Sequence, residues 1–182
     1  MLAYKFLRPG AIGPFSGERW PRPSGEAPGA WVRADAAGPS LCRAAVHACT
    51  SDHLPFWMAE ELWRVELEEP VSLERSKLVA PAGRLVERVA AWDEAAALGF
   101  MAATVERIGA LDAGAGSSYM TEANIFCVGD AGREDPFGNA ALSTMIAVEA
   151  AEHAGGIEAV RTERAAQATW FAENLLLEPV TV

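Results

Sequence analysis

Between residues 63 and 68 the side chains Trp63, Val65 and Leu67 alternate with Arg64, Glu66 and Glu68, the period of two of a half-buried strand. Residues 2–7 read as a short strand that Pro9-Gly10 stops. Residues 77–80 and 84–89 form a further strand pair across Pro81-Ala82-Gly83, although the second member fits a helix start equally well. Residues 13–29 are a long loop rich in Gly and Pro, which is either functional or packed down by Phe15, Trp20 and Trp31.

After Trp92 the apolar period lengthens. Leu98, Met101, Val105 and Ile108 recur at three and four residues behind a candidate N-cap, Asp93, so one helix is predicted up to Gly114 and Gly116. A short buried helix is predicted over 121–128, and two longer ones over 140–154 and 157–177, separated by Gly155-Gly156. On the last, Ile157, Val160, Arg164, Ala168, Phe171 and Leu175 share a stripe.

Composition divides at the same place. Residues 1–92 hold nine of the eleven prolines and five of the six tryptophans, with 11 basic and 11 acidic residues. Residues 93–182 carry 4 basic against 14 acidic ones, so the whole formal charge of −10 belongs to the second half. One 182-residue domain follows as the expectation, with a strand- and turn-rich part over 1–92 and an acidic helical part over 93–182. Its class is α+β: a small, mostly antiparallel sheet covered by three or four helices.

The charge argues against nucleic acid, whose phosphates demand clustered Lys and Arg, and against anionic membrane surfaces. No apolar run approaches the roughly 20 residues of a spanning helix. The first ten residues lack the apolar core and small-residue cleavage site of an export signal. Three cysteines make no disulfide framework, so reduced thiols and a cytoplasmic location are expected, a Cys42–Cys49 bridge being the alternative in an oxidising compartment.

Two of the three cysteines and two of the three histidines fall within Cys42-x4-His47-x-Cys49-x3-His53. Thiolate and imidazole are standard ligands of zinc and other transition metals, which makes Cys42, His47, Cys49 and His53 a candidate metal set. The spacing fits no common zinc pattern. A second reading makes Cys49 a thiolate nucleophile with His47 or His53 as its base, its pKa lowered by a helix that Ser51 or Asp52 caps near His53. A third treats the cysteines as small buried hydrophobes. On a strand, His47 and Cys49 share a face. Glu149 with His153, and the Gly-rich stretch 114–118, are weaker signals, best read as a solvated helix face and a linker.

With AYKFLRPG, GPFSG followed by WP, LCRAAVHAC, LPFW, ELWRVEL, KLVAPAGRL and ERAAQATWFAENL in view, the chain resembles a group of small actinobacterial proteins without an assigned activity. The C-x4-HAC piece is similar to a segment of short phage-encoded domains of unknown function. The resemblance implies a bacterial, cytosolic setting and transfers no catalytic role. Ala45 stands where those proteins often carry Gly.

The functional expectation is an enzyme acting on a small molecule, with a pocket between sheet and helices. His47 and Cys49 are its catalytic candidates, and Arg8 or Arg43 would orient an anionic substrate. The competing expectation is a non-enzymatic homo-oligomer or partner-binding protein in which the Cys/His cluster is structural.

Overall fold

The computed structural model describes residues 1–34, 45–112 and 118–180. They form two units: Met1–Ala90 with Leu177–Val182, and Ala91–Leu176.

Among the described residues, the first unit has seven antiparallel strands. These are β1 (Leu2–Leu7), β2 (Val32–Arg33), β3 (Val46–Ala48), β4 (Glu61–Leu67), β5 (Ser72–Glu74), β6 (Lys77–Ala80) and β7 (Ala82–Arg88), with a 3-10 helix over Ser51–Phe56. The alternating ELWRVEL segment becomes β4, which pairs β1 on one side and β7 on the other. The stretch that left strand and helix open is β7. Its β-branched and arginine-bearing sequence is drawn into the ladder by β4, with one extra residue accommodated near Arg64 and Val65.

Among the described residues these strands form two sheets, in the orders β1-β4-β7-β2 and β3-β6-β5, rather than the single sheet expected. They are joined twice. Pro81 alone separates β6 from β7, and Tyr4 and Cys49 exchange both backbone hydrogen bonds at 3.0 and 2.8 Å. Strand pairing and the covalent step at Pro81 together therefore trace a circuit from β1 through β4 and β7 into β6 and back through β3. Inside lie Leu7, Trp20, Val46, Trp63, Val65, Leu67, Leu78 and Leu85, all buried. Such apolar burial is the main stabilising term, at about 25 cal/mol per Å².

One acid is buried with them. Glu61 stands two residues before Trp63, on the same face of β4, and is 6 % exposed. Its carboxylate accepts from the amides of Gly10 and Ala11 at 3.1 and 3.0 Å, from the Trp63 indole at 3.0 Å, and from Arg22 at 3.2 Å. Burial alone would raise its pKa, but these donors outweigh it and hold the carboxyl below its ordinary value. The carboxylate thereby fixes the Pro9-Gly10 turn, where Ala11 has φ +59°.

The segment after the helical unit returns to the first one. The Tyr4 hydroxyl donates to the Glu178 carbonyl at 3.1 Å and accepts from the Glu178 amide at 3.0 Å. Arg64 bonds Glu87 at 2.9 Å and Glu178 at 2.8 Å with its two terminal nitrogens.

The second unit consists of α1 (Glu94–Asp112), α2 (Tyr119–Cys127), α3 (Gly129–Glu134) and α4 (Pro136–Asn174). Asp93 caps α1, accepting from the Ala96 amide at 2.8 Å. Asp135 caps α4 by accepting from Gly138 at 3.0 Å, with Pro136 in the first turn, so this helix begins four residues before the expected 140. Its two halves meet at Gly155-Gly156, where Gly156 takes φ +65° and ψ −153°, a conformation closed to residues with a Cβ. The helix expected to be buried is so on one side only: Ala123 and Cys127 face inward, whereas Ile125 and Phe126 are exposed.

Between α1 and α4 lies a polar network. Glu163, 5 % exposed, receives Arg107 at 2.9 Å and the fully buried Gln167 at 2.8 Å. Arg107 also reaches the buried Thr104 hydroxyl at 3.1 Å, and Arg164 donates to Gln167 at 3.0 Å. With each of these groups partnered, the network fixes the register of the two helices.

Among the described residues, no helix is long and apolar enough to cross a membrane.

Candidate functional site

The strand expected around His47 forms as β3, which pairs with β6 so that His47 lies opposite Val79. Alternation then points Val46 and Ala48 into the core and leaves His47 half-buried. Cys49, next in line, is drawn under β1 by its two backbone bonds to Tyr4. Its thiol donates to the Tyr4 carbonyl at 3.5 Å.

A cavity of about 520 Å³ opens beside this strand. Lys5 of β1, His47 and Cys49 line one wall. Phe15, Ser16 and Trp20 of the loop after β1 line another, and Trp57 and Lys77 complete it. Each lining residue belongs to the first unit, so the cavity is walled from within that unit.

Its polar groups are held in place. The Lys5 ammonium donates to the His47 carbonyl and sits 4.9 Å from the Trp20 ring centroid. The Trp57 indole donates to the Ser76 carbonyl at 2.8 Å, which fixes the ring plane. Lys77 lies over that ring at 5.7 Å, and Phe15 meets it edge-on at 6.2 Å. Phe15 is 76 % exposed, so the loop is not packed down by its aromatics uniformly: Trp20 is buried and Phe15 stands open.

Burial and the neighbouring ammonium groups of Lys77 and Lys5 lower the His47 pKa, so the imidazole is neutral at physiological pH and offers one donor and one acceptor. Burial pushes the Cys49 thiol up to about 12, against a smaller opposing effect of Lys5. A thiol at that value carries almost no thiolate near neutrality, which argues against the nucleophilic reading. The helix expected to lower it is a short 3-10 helix of six residues. Thr50 rather than Ser51 or Asp52 precedes it, and no side chain caps its amides.

The remaining candidates separate. His53 bonds the Thr50 hydroxyl through its Nδ1 at 2.8 Å, lies tilted 6.0 Å from the Phe56 ring, and does not line the cavity. No group of three or more His, Cys, Asp or Glu side chains converges among the described residues, so His47, Cys49 and His53 are not assembled as a ligand set. Cys42 and Arg43 lie outside the described residues. Arg8 is exposed, bonded through its backbone to Ile12, and does not line the cavity. Glu149 and His153 are both exposed, as a solvated helix face requires.

Phe15, Trp57 and Lys77 belong to no conventional motif. Their signal is faint but real: an aromatic flanked by Pro14 and Ser16-Gly17 in a loop is poorly placed for a core. Set against known protein families, curated proteins and solved structures, the chain matches none.

Proposed function

We propose that the first unit binds a small molecule in the cavity beside β3, with His47 among the polar groups on its wall. The observation that carries this reading is the cavity itself. Its volume of about 520 Å³ falls in the range of roughly 300–1,000 Å³ usual for ligand sites, and its lining combines aromatic rings with charged and polar side chains. An exposed Phe15 held against a fixed Trp57 is the kind of apolar surface a ligand covers.

The enzyme expected from the Cys/His cluster narrows accordingly. The small molecule is kept, His47 is kept as a neutral donor and acceptor facing it, and Cys49 is assigned to the framework that joins β3 to β1.

A fragment library screened by saturation-transfer NMR against the whole chain tests the reading, with His47→Trp as the blocking variant. Fragments that bind the parent and lose their signal in a folded His47→Trp protein are expected. An absence of hits, or hits indifferent to that substitution, overturns it.

A further inference from the structure

The character of the cavity wall goes further than the presence of a cavity. In a chain of net charge −10, the cavity carries Lys5, Lys77 and Arg33 against Glu18 alone, beside the neutral His47. Arg33 is committed to Glu68 at 2.7 Å, and Lys5 to the His47 carbonyl and the Trp20 face. Lys77 is different: among the described residues no carboxylate lies within ion-pair distance of its ammonium. Its ammonium lies over the Trp57 ring.

A cation held over an indole whose own N–H is already used presents a positive point at the edge of a flat apolar surface. Lys77 and Lys5 both lie close enough to His47 to lower its pKa beyond the effect of burial, with Glu74 acting the other way. Ser16 is the one hydroxyl among the described lining residues.

We infer that the cavity takes a flat aromatic or conjugated anion, its ring laid against Trp57 and Phe15 and its carboxylate, sulfonate or phosphate set against Lys77. The inference rests on the binding reading above. Its partner is defined by charge and shape together, an acid group on a rigid ring of about naphthalene size.

Three matched probes test it by calorimetry on the whole chain: naphthalene-2-sulfonate, 2-naphthalenemethanol and 2-naphthylmethylammonium. The sulfonate is expected to bind about fivefold or more tightly than the alcohol, with the ammonium weakest, an order that flattens as salt screens the site. Lys77→Gln is expected to remove the sulfonate's advantage and leave the alcohol unchanged, which a loss of folding would not do. Hexanesulfonate, an anion without a ring, is expected to bind weakly.

Equal affinities for the three naphthalenes, or a sulfonate advantage that survives Lys77→Gln, overturn the ligand class while leaving small-molecule binding standing. If no probe binds and the fragment screen is also empty, the binding reading itself fails.

Discussion

Replacing Glu61 by Ala removes an acceptor that four donors share. The Ala11 amide and the Trp63 indole N–H are buried and would be left without partners, at about 1–3 kcal/mol each. The Gly10 amide is half-buried and regains water, so it adds little. The Arg22 ion pair is discounted to about 0–1 kcal/mol because that side chain is 53 % exposed. Together the loss is about 2–7 kcal/mol, a large part of the stability of a unit this size.

Hydrogen exchange read by mass spectrometry suits the measurement, because it reports the opening free energy of β1 and β4 peptides separately from the helices. The pH dependence adds a sign. The folded pKa of Glu61 lies below its unfolded value of about 4.3, so its contribution is fully present above that value and is lost as pH falls through the folded one. The gap between parent and Glu61→Ala is therefore widest near neutrality and narrows in acid. A cost below about 1 kcal/mol, or a gap that widens as pH falls, would refute the assignment of Glu61 as the clamp on the Pro9-Gly10 turn.

Three other outcomes follow from the structure. With their thiols pushed up to about 12 and about 11, Cys49 and Cys127 should resist iodoacetamide in the native protein and react in urea; rapid native alkylation of Cys49 would contradict its burial. Gly156→Ala forces a Cβ into φ +65°, ψ −153° and should cost about 1–3 kcal/mol in the helical unit by urea titration, so an unchanged midpoint would rule out the strained break. Glu163→Ala strips Arg107 and Gln167 of a shared acceptor and should cost about 2–4 kcal/mol, read from exchange in α1 and α4 peptides; a neutral result would mean the network does not hold their register.

The elements were legible where a period repeats. Trp63, Val65 and Leu67 announce β4, Asp93 announces the start of α1, and Gly155-Gly156 marks the break in α4, because each signal lies within a few residues of what it specifies. The ring of two sheets was not legible, since it depends on Tyr4 meeting Cys49 and His47 meeting Val79, pairings that no local pattern encodes. Glu61 was within reach: it is in phase with Trp63 and Val65, and an acid on an apolar face needs donors. The Cys/His cluster attracted notice through residue type alone. Backbone pairing then sent Cys49 under β1 and His53 into a 3-10 helix, while the cavity was made by a loop aromatic and a lysine from strands distant in sequence.

Arg64 grips Glu87 and Glu178 at once, and those two residues bracket the whole helical excursion. One guanidinium thus marks both the door by which the chain leaves the β unit and the door by which it comes back. In topological terms the helices are a guest spliced into a host that is finished only after the guest has been made. The host's last segment, pinned by Tyr4 and Arg64, cannot take its place until 86 residues of another unit have been synthesised. The splice point is correspondingly the site at which the host would accept a different guest, or a short linker in place of one.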